Sequence, residues 1–377
     1  MAIKTGKQVT KVAIDKIKSF QSGELKPIVT RDPELNDMLL GGFLPATILG
    51  IVARSSHGKT FKLEEIQDDI LELNDNVAML QCNWELEVEK LIVRDVSHYT
   101  GRSAKSILLE EPDGQIKDAI NRTYKKFARD NMYFQDEPVS PETFNTDVLQ
   151  FLANNKDKRV IITIDNMENL LVGPKGQKAT MDELLKNINI LKKSHPFVAF
   201  IILNQANNDI TKRTEDPRGH RPKSSDIYGS DALFKLCDVV LFKVIPYKLG
   251  IQEKFMVFGK DSYSWLEEHK LPGIGNTRSF DPVGKSFDFY LKHRRIGEKN
   301  VPDVFVTQMF TREDIGMPEP GEVAKAPKLP SETGPPVVPP VIFVDDNNLN
   351  NSSAKGVGFE DGDNNNVNNG DDTEVPF

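Results

Sequence analysis

Short apolar runs alternate with longer amphipathic stretches through most of the chain, which predicts strands separated by helices. The stretch Lys59–Leu73 repeats apolar residues along one face at helical spacing. Another helix should begin at Ser140-Pro141-Glu142, because an N-cap residue followed by proline is a frequent start signal. The predicted strands are Ile48–Ala53, Val77–Gln81, Met132–Gln135, Val160–Asp165, Val198–Asn204, Val239–Val244, Phe255–Gly259 and Phe287–Lys292.

The order of these elements predicts an α/β fold. Strands that alternate with helices form a mostly parallel central sheet covered on both faces. The later strands follow one another with little helix between them, so we expect an antiparallel extension of the sheet towards the C-terminus.

The pattern changes near both ends and predicts three regions, residues 1–23, 24–315 and 316–377. In the first, apolar residues recur at helical spacing within Gln8–Phe20. The apolar stripe of this linker helix has two candidate partners, the body of its own chain or a neighbouring subunit. The last region is rich in proline, asparagine and acids, so it should be a disordered acidic tail.

Charge is unevenly distributed between these regions. The formal net charge of the 377 residues is −8, with 48 Lys+Arg against 56 Asp+Glu. The segment from Gly321 to Phe377 holds 3 lysines and 10 acidic residues, a net of −7, which leaves −1 for the rest. A nearly neutral body excludes nucleic-acid binding by bulk charge, so any such contact must come from local basic patches.

Cysteine usage and hydropathy bear on the compartment. Cys82 and Cys237 both lie in apolar segments, where we expect buried free thiols of a reducing compartment. No apolar run approaches the ~18 residues of a membrane span, and no signal-peptide core follows the first lysines. We therefore expect a cytoplasmic protein.

The most specific motif is a phosphate-binding loop placed between a strand and a helix, the context that a P-loop requires. Backbone N–H groups of such a loop surround the β-phosphate at the start of the helix. Lys59 should reach the β- and γ-phosphates, and the Thr60 hydroxyl should coordinate Mg²⁺. Alanine replaces the usual first glycine, which ordinary backbone angles would tolerate. The loop consists of Ala53, Arg54, Ser55, Ser56, His57, Gly58, Lys59 and Thr60.

Two carboxylates follow predicted strands, at the edge where open α/β sheets bind ligands. Asp165 should hold the water shell of Mg²⁺, unless it only caps a loop. Glu85 should orient the attacking water, although a lone glutamate would ordinarily be a surface residue. Together with the P-loop they predict a Mg²⁺-dependent hydrolase of ATP or another nucleoside triphosphate.

The order of these motifs resembles the C-terminal motor domain of DnaB-type replicative hexameric helicases, a branch of the RecA-like ATPases. The resemblance covers about residues 24–315 and implies a RecA-like P-loop core. Gly41-Gly42 and Ile48–Thr60 resemble the family's approach to its P-loop, including the alanine. Asn83-Trp84-Glu85-Leu86 matches the segment that carries the family's catalytic glutamate, which implies this role for Glu85.

Two further segments carry the resemblance. Gln205 lies in an Asn-Gln-Ala-Asn segment like the one whose glutamine senses the γ-phosphate in the family. Residues 292–297, Lys-His-Arg-Arg-Ile-Gly, resemble the hairpin that supplies a lysine and an arginine finger to the next subunit. By spacing, Lys292 and Arg294 take those roles, with Arg295 as the alternative finger.

Two loops concentrate positive charge and should track the backbone of single-stranded DNA, although solvated surface loops are the alternative. One follows the Asp165 strand. The other follows Gln205 and resembles, over residues 221–230, the family's DNA-facing loop. At Tyr228 the family usually has an arginine, so stacking on a base is the candidate substitute. The candidate DNA contacts are Lys175, Lys178, Arg213, Arg218, Arg221, Lys223 and Tyr228.

The last seven residues resemble the acidic tip of bacterial single-stranded-DNA-binding proteins, which ends in acids followed by Pro-Phe. This implies a segment that recruits a polymerase, a primase or another replisome protein. Competition with DNA for the basic loops and a purely solubilising tail are the alternatives. The candidate contact residues are Asp371, Asp372, Glu374, Pro376 and Phe377.

These features predict an NTP-driven replicative DNA helicase that forms a homohexameric ring around single-stranded DNA. In this family the linker helix docks on the adjacent subunit, and a short motor with a partner-binding tail suits a phage replisome in the host cytoplasm. A RecA-like recombinase or filament-forming DNA-dependent ATPase is one alternative. A nucleotide-switched binding module without motor activity is another, but it would need neither Glu85 nor Arg294.

Overall fold

The computed structural model describes residues 3–213, 222–229, 231–251, 255–256, 279–280, 285–292 and 304–309. The chain divides into two units, residues 1–327 and 328–377, and every described residue lies in the first. The predicted boundary between residues 315 and 316, and the whole predicted tail, therefore lie outside the described residues.

Ten strands are described, and eight of them form one sheet. They are β1 (Ile48–Ala53), β2 (Val77–Asn83), β3 (Met132–Gln135), β4 (Arg159–Asp165), β5 (Val198–Gln205), β6 (Val239–Val244), β7 (Phe255–Met256), β8 (Ser279–Phe280), β9 (Lys285–Lys292) and β10 (Val304–Met309). The order in the large sheet is β10-β9-β6-β1-β5-β4-β2-β3. Strands β1 to β6 run parallel, β9 and β10 pair antiparallel, and β7 pairs with β8 alone. The predicted fold class is confirmed.

Most of the described helices connect the parallel strands, whereas the first two precede the first strand. The helices are α1 (Gly6–Gln21), α2 (Pro33–Met38), α3 (Lys59–Leu73), α4 (Val88–Thr100), α5 (Ala104–Leu109), α6 (Gly114–Phe127), α7 (Pro141–Asn154), α8 (Gln177–Ser194), α9 (Asp209–Lys212) and α10 (Asp231–Leu236). Helix α3 has its predicted bounds. Helix α7 begins as predicted, because the Ser140 side chain accepts a hydrogen bond from the Thr143 N–H and proline occupies the first turn.

The central strands are buried on both faces. Every residue of β1, β2 and β6 is buried, and successive side chains of a strand point to opposite faces. The parallel register brings Ala53 of β1 beside Gln205 of β5, and Asn83 of β2 beside Asp165 of β4. The polar residues that end these strands therefore meet at one edge of the sheet.

The N-terminal helix α1 leaves its apolar stripe uncovered. None of its residues, all within the described part of the chain, is buried, and Val12 and Ile17 are 63% and 55% exposed. Thr5 and Gln8 cap its start reciprocally. Within the described residues, the stripe does not pack against the body of its own chain, which was one of its two predicted partners.

Both cysteines are buried and neither forms a disulfide among the described residues; Cys82 lies within β2 and Cys237 two residues before β6. Burial raises the pKa of the Cys82 thiol well above its usual range. Among the described residues, no helix is both long and apolar enough to cross a membrane.

Candidate nucleotide-binding site

The phosphate-binding loop joins the end of β1 to the start of α3. Ala53 is the last residue of β1 and has ordinary extended backbone angles, so its methyl group causes no strain. Gly58 caps α3 with a φ of +81°, in the left-handed region that favours glycine. A Cβ at Gly58 would also lie 3.4 Å from Cε of Lys243. The Arg54 guanidinium donates to the Ala206 carbonyl at 3.2 Å, which ties the loop to the end of β5.

Two buried charged atoms of opposite sign lack hydrogen-bond partners in the described chain. They are Nζ of Lys59 and Oδ1 of Asp165. Burial lowers the pKa of the Lys59 ammonium, and burial raises the pKa of the Asp165 carboxyl to about 6 despite a hydrogen bond from the Thr60 side chain. Unpaired buried charges are costly, so these atoms fit a ligand that brings anionic oxygens to the lysine and a cation to the carboxylate. Magnesium with a triphosphate has this chemistry.

One cavity of about 350 Å³ is lined by most of the predicted P-loop residues together with Glu85 and Gln205, whereas Ala53, Arg54, His57 and Asp165 do not line it. Glu85 lies beyond the end of β2, and Gln205 ends β5, so both face the phosphate-binding loop from the same edge of the sheet. Its lining residues are Ser55, Ser56, Gly58, Lys59, Thr60, Phe61, Glu64, Glu85, Leu86, Arg94, His98 and Gln205.

Glu85 is exposed, and its buried neighbour Trp84 fixes its position. The backbone N–H of Trp84 donates to the Asp165 carbonyl at 2.7 Å. The Trp84 ring packs edge-on against Phe144, with ring centroids 5.8 Å apart. The segment after β2 is therefore held to the end of β4, which keeps the Glu85 carboxylate at the mouth of the cavity.

The sequence matches the family model of the DnaB-like helicase C-terminal domain over residues 28–254, more than half of the chain. The chain belongs to this family. The structure of a DnaB-like replicative helicase, solved to show its interactions with primase, aligns at 18% identity and a TM-score of 0.57, covering 84% of this chain and 67% of that chain. A second solved structure, the ATPase domain of another protein, aligns at 16% identity and a TM-score of 0.58, covering 83% of this chain and 98% of that chain. No curated protein matches the sequence significantly.

This DnaB-like protein is therefore a replicative-helicase ATPase, and the cavity at the P-loop is the candidate for its nucleotide site. Three residues near the P-loop were missed in the sequence. Arg94 of α4 lines the cavity and forms an ion pair with Glu64 of α3. Glu168, three residues after Asp165, accepts a hydrogen bond from the Gln205 N–H at 2.8 Å. The helical spacing of apolar residues does not show which helix faces the cavity, so the local sequence around Arg94 and Glu64 gave no sign of their position.

His57 ties the P-loop of the helicase to the chain after β6. Its buried Nδ1 accepts the Ile245 N–H at 3.0 Å, and Nζ of Lys248 donates to the Ser56 carbonyl at 2.8 Å. Burial, together with Lys248 and Arg54, lowers the pKa of His57 to about 3. The imidazole is therefore neutral at physiological pH, as this acceptor role requires.

Acidification should weaken the fold through His57. The unfolded chain protonates this residue near pH 6.5, whereas the folded protein does so near pH 3. Because the unfolded state binds more protons between these values, the free energy of unfolding should fall by about 1.4 kcal/mol per pH unit below 6.5. His57→Asn keeps a hydrogen-bond acceptor without the titration, so urea unfolding at pH 7 and pH 5 should show a shallower pH dependence for the variant. Equal dependence in both proteins would contradict this. The Asp165 carboxyl has a raised pKa in the folded protein, so it opposes this fall in the free energy of unfolding by the same amount in the wild type and in the variant.

Buried ions also connect α3 with the antiparallel extension. Lys62 lies one turn beyond Lys59, and its Nζ lies 2.8 Å from Asp32 and 3.8 Å from Asp288 of β9. Lys243 of β6 pairs with the same Asp288 at 3.1 Å. Burial alone would lower the pKa of Lys62, but Asp288 and Asp32 hold it above its usual range. This buried ionic cluster joins the P-loop helix to the strand that leads towards the predicted finger.

The two loops predicted to face DNA meet in the structure. The Tyr228 hydroxyl donates to Oε1 of Gln177 at 3.5 Å, beside the exposed Lys175 and Lys178 at the start of α8. Lys223 is also exposed. Arg213 differs from these lysines, because its guanidinium forms an ion pair with the buried Asp226 and so holds the second loop in place.

Several predicted site residues lie outside the described residues. Lys292 ends β9, but its side chain is outside them, as are both candidate fingers. The same holds for two of the candidate DNA contacts and for all five tail residues. The residues concerned are Arg218, Arg221, Arg294, Arg295, Asp371, Asp372, Glu374, Pro376 and Phe377.

Proposed function

We propose that this chain is the motor of a helicase ring that encircles single-stranded DNA and translocates by Mg²⁺-dependent ATP hydrolysis between subunits. The observation that carries the proposal is the cavity that joins an unpaired Lys59 ammonium, Thr60, Glu85 and Gln205. Asp165 lies next to it, where its carboxylate accepts a hydrogen bond from the Thr60 side chain. Phosphoryl transfer depends mainly on positioning and on neutralising charge, and this set of groups supplies both.

Each of these residues takes one task in this proposal. Lys59 binds the β- and γ-phosphate oxygens. Thr60 and Asp165 hold Mg²⁺, which when bound neutralises charge on the phosphates. Glu85 orients the attacking water and accepts its proton, and Gln205 contacts the γ-phosphate.

Replacing Glu85 by glutamine should separate binding from hydrolysis. Glu85→Gln removes the proton acceptor but keeps the shape of the side chain, so ATP affinity should persist while turnover falls by about 10²–10⁴-fold. Equilibrium binding of a fluorescent ATP analogue and steady-state phosphate release measure the two effects. Glu87→Gln is the matched control, since Glu87 is an exposed glutamate two residues away. Normal turnover in Glu85→Gln would remove Glu85 from the mechanism.

The nucleotide cavity lacks a free arginine within the described part of the chain. Arg94 is the one arginine among its described lining residues, and Glu64 already pairs with it. This supports a finger supplied by the adjacent subunit, for which Lys292 and Arg294 are the candidates. Such a site is complete only between two copies of the chain.

The exposed apolar stripe of α1 also supports the assembly of several copies of the chain. Its apolar residues need a cover, and the helices α5 and α6 of a second copy offer exposed apolar side chains to provide it. The exposed residues of that surface are Leu108, Leu109, Ile120 and Tyr124. We propose that α1 of one subunit packs on these helices of the next.

The decisive experiment combines ATPase assays with a mass measurement. The ring motor predicts hydrolysis that single-stranded DNA accelerates and a hexamer in the presence of nucleotide. The double variant Val12→Asp, Ile17→Asp should lose the hexamer, whereas Lys11→Asp, on another face of α1, should keep it. Helical filaments in electron micrographs would instead favour the recombinase alternative, and no DNA-stimulated turnover would favour the binding module.

The acidic tail supports a second interaction. A phenylalanine preceded by acids suits a basic pocket with an apolar floor, so we propose that Asp371–Phe377 recruit a replisome protein such as a polymerase or primase. Deleting Asp371–Phe377 should weaken its retention in pull-down assays. Unchanged retention would count against this role.

A further inference from the structure

Four residues form a closed circuit of hydrogen bonds between the nucleotide cavity and the surface predicted to face DNA. The Gln205 N–H donates to Oε1 of Glu168 at 2.8 Å, and Nε2 of Gln177 donates to the Glu168 carbonyl at 3.0 Å. The Tyr228 hydroxyl donates to Oε1 of Gln177 at 3.5 Å. The Tyr228 N–H closes the circuit by donating to the Gln205 carbonyl at 2.9 Å.

Further bonds fix the Tyr228 segment along the end of β5. Nδ2 of Asn204 donates to the Tyr228 carbonyl at 2.9 Å, and the Asn207 N–H donates to the Asp226 carbonyl at 2.7 Å. A displacement of Tyr228 must therefore either move the backbone of Gln205 or break several hydrogen bonds. Because the Gln205 side chain lines the cavity, such a movement reaches the nucleotide.

Glu168 does not line the cavity, but its side chain binds the backbone of Gln205, which does. It is half-buried, and burial raises the pKa of its carboxyl, which the Gln205 N–H and Lys59 oppose. Its hydrogen bond ends on the backbone of Gln205 and leaves the Gln205 amide group available for a ligand. Glu168 therefore sets where Gln205 lies without occupying the ligand's place.

We propose that Glu168 is a positioning residue that couples the surface formed by Gln177, Lys178 and Tyr228 to Gln205, and so determines how strongly single-stranded DNA stimulates hydrolysis. This inference rests on the proposed function as a DNA-stimulated ATPase. Coupling between two binding sites is reciprocal, so nucleotide must change DNA affinity through the same contacts.

The test measures stimulation as a ratio of rates. Glu168→Ala removes the acceptor for the Gln205 N–H, and the ratio of ATPase rates with and without oligo(dT) should fall at least about fivefold, the low end of typical coupling between sites. Glu168→Gln retains an acceptor oxygen and should keep the ratio of the wild type. In Glu168→Ala, a non-hydrolysable ATP analogue should also lose its effect on oligo(dT) affinity. Glu183→Ala, at an exposed glutamate of α8, is the control.

The outcomes separate this inference from the proposed function. If oligo(dT) does not stimulate the wild type, the proposed function itself fails. If the wild type is stimulated and Glu168→Ala retains the same ratio, only the coupling role is wrong. It is equally wrong if Glu168→Gln lowers the ratio as much as alanine does. Should Glu168→Ala not fold, Gln177→Leu breaks the circuit at two other bonds and must lower the ratio as well.

Discussion

Lys59→Ala should reduce ATP hydrolysis to the background of the assay and weaken triphosphate binding. The Lys59 ammonium is buried at the start of α3, and its Nζ has no hydrogen-bond partner in the described chain. Its charge therefore serves the ligand in our proposal, and no other described residue of the cavity can replace it. Phosphate release and binding of a fluorescent ATP analogue measure the loss.

The stability of Lys59→Ala distinguishes a functional loss from an unfolded protein. Removing an unpaired buried cation relieves a desolvation cost, so the unfolding temperature without nucleotide should not decrease. Lys90→Ala, at an exposed lysine of α4, should behave as the wild type in every assay. Substantial hydrolysis by Lys59→Ala would overturn the assignment of the P-loop.

Arg294→Ala should leave ATP affinity nearly intact and lower hydrolysis by about 10³–10⁵-fold, the range typical of a lost arginine finger. The guanidinium would stabilise charge that develops on the transferred phosphate only in the transition state, and it would do so on the neighbouring subunit. Arg295→Ala is the matched comparison. If Arg295→Ala loses activity instead, the finger is Arg295.

Mixed assemblies of two inactive variants test whether the proposed finger acts on the adjacent subunit. Subunits with Arg294→Ala keep an intact P-loop, and subunits with Lys59→Ala keep an intact finger. When the two inactive variants are mixed, interfaces that combine the intact halves should regain hydrolysis. If both variants still bind each other but the mixture stays inactive, the finger acts within its own subunit.

The sheet was largely predictable because its central strands are short runs of apolar residues between turns. The predicted bounds of β1, β3 and β6 agree with the structure. Strand β2 continues two residues further than predicted, to Asn83, because Asn83 pairs with Asp165 of the neighbouring strand. That extension depends on a residue far away in the sequence, which a local pattern does not reveal.

In the cavity at the P-loop, too, some residues could be predicted from the local sequence and others could not. Lys59, Glu85 and Gln205 each follow or end a strand, so the parallel register alone brings them to one edge, although their roles remain predictions. Arg94 comes from the face of a helix whose orientation depends on packing against α3. Glu168 was missed because a glutamate in a short 3-10 helix carries no local signal of the backbone group that it binds.

The buried ionic cluster of Lys62, Asp32, Lys243 and Asp288 has a consequence for how the motor responds to ionic strength. Dissolved ions screen exposed charges over about 10 Å at 0.1 M salt but have little effect on pairs that water cannot reach. Both lysines and Asp288 are almost completely shielded from solvent. If the exposed lysines bind DNA as proposed, concentrated salt should therefore release it, while the buried ion pairs between the P-loop helix and β9 stay intact.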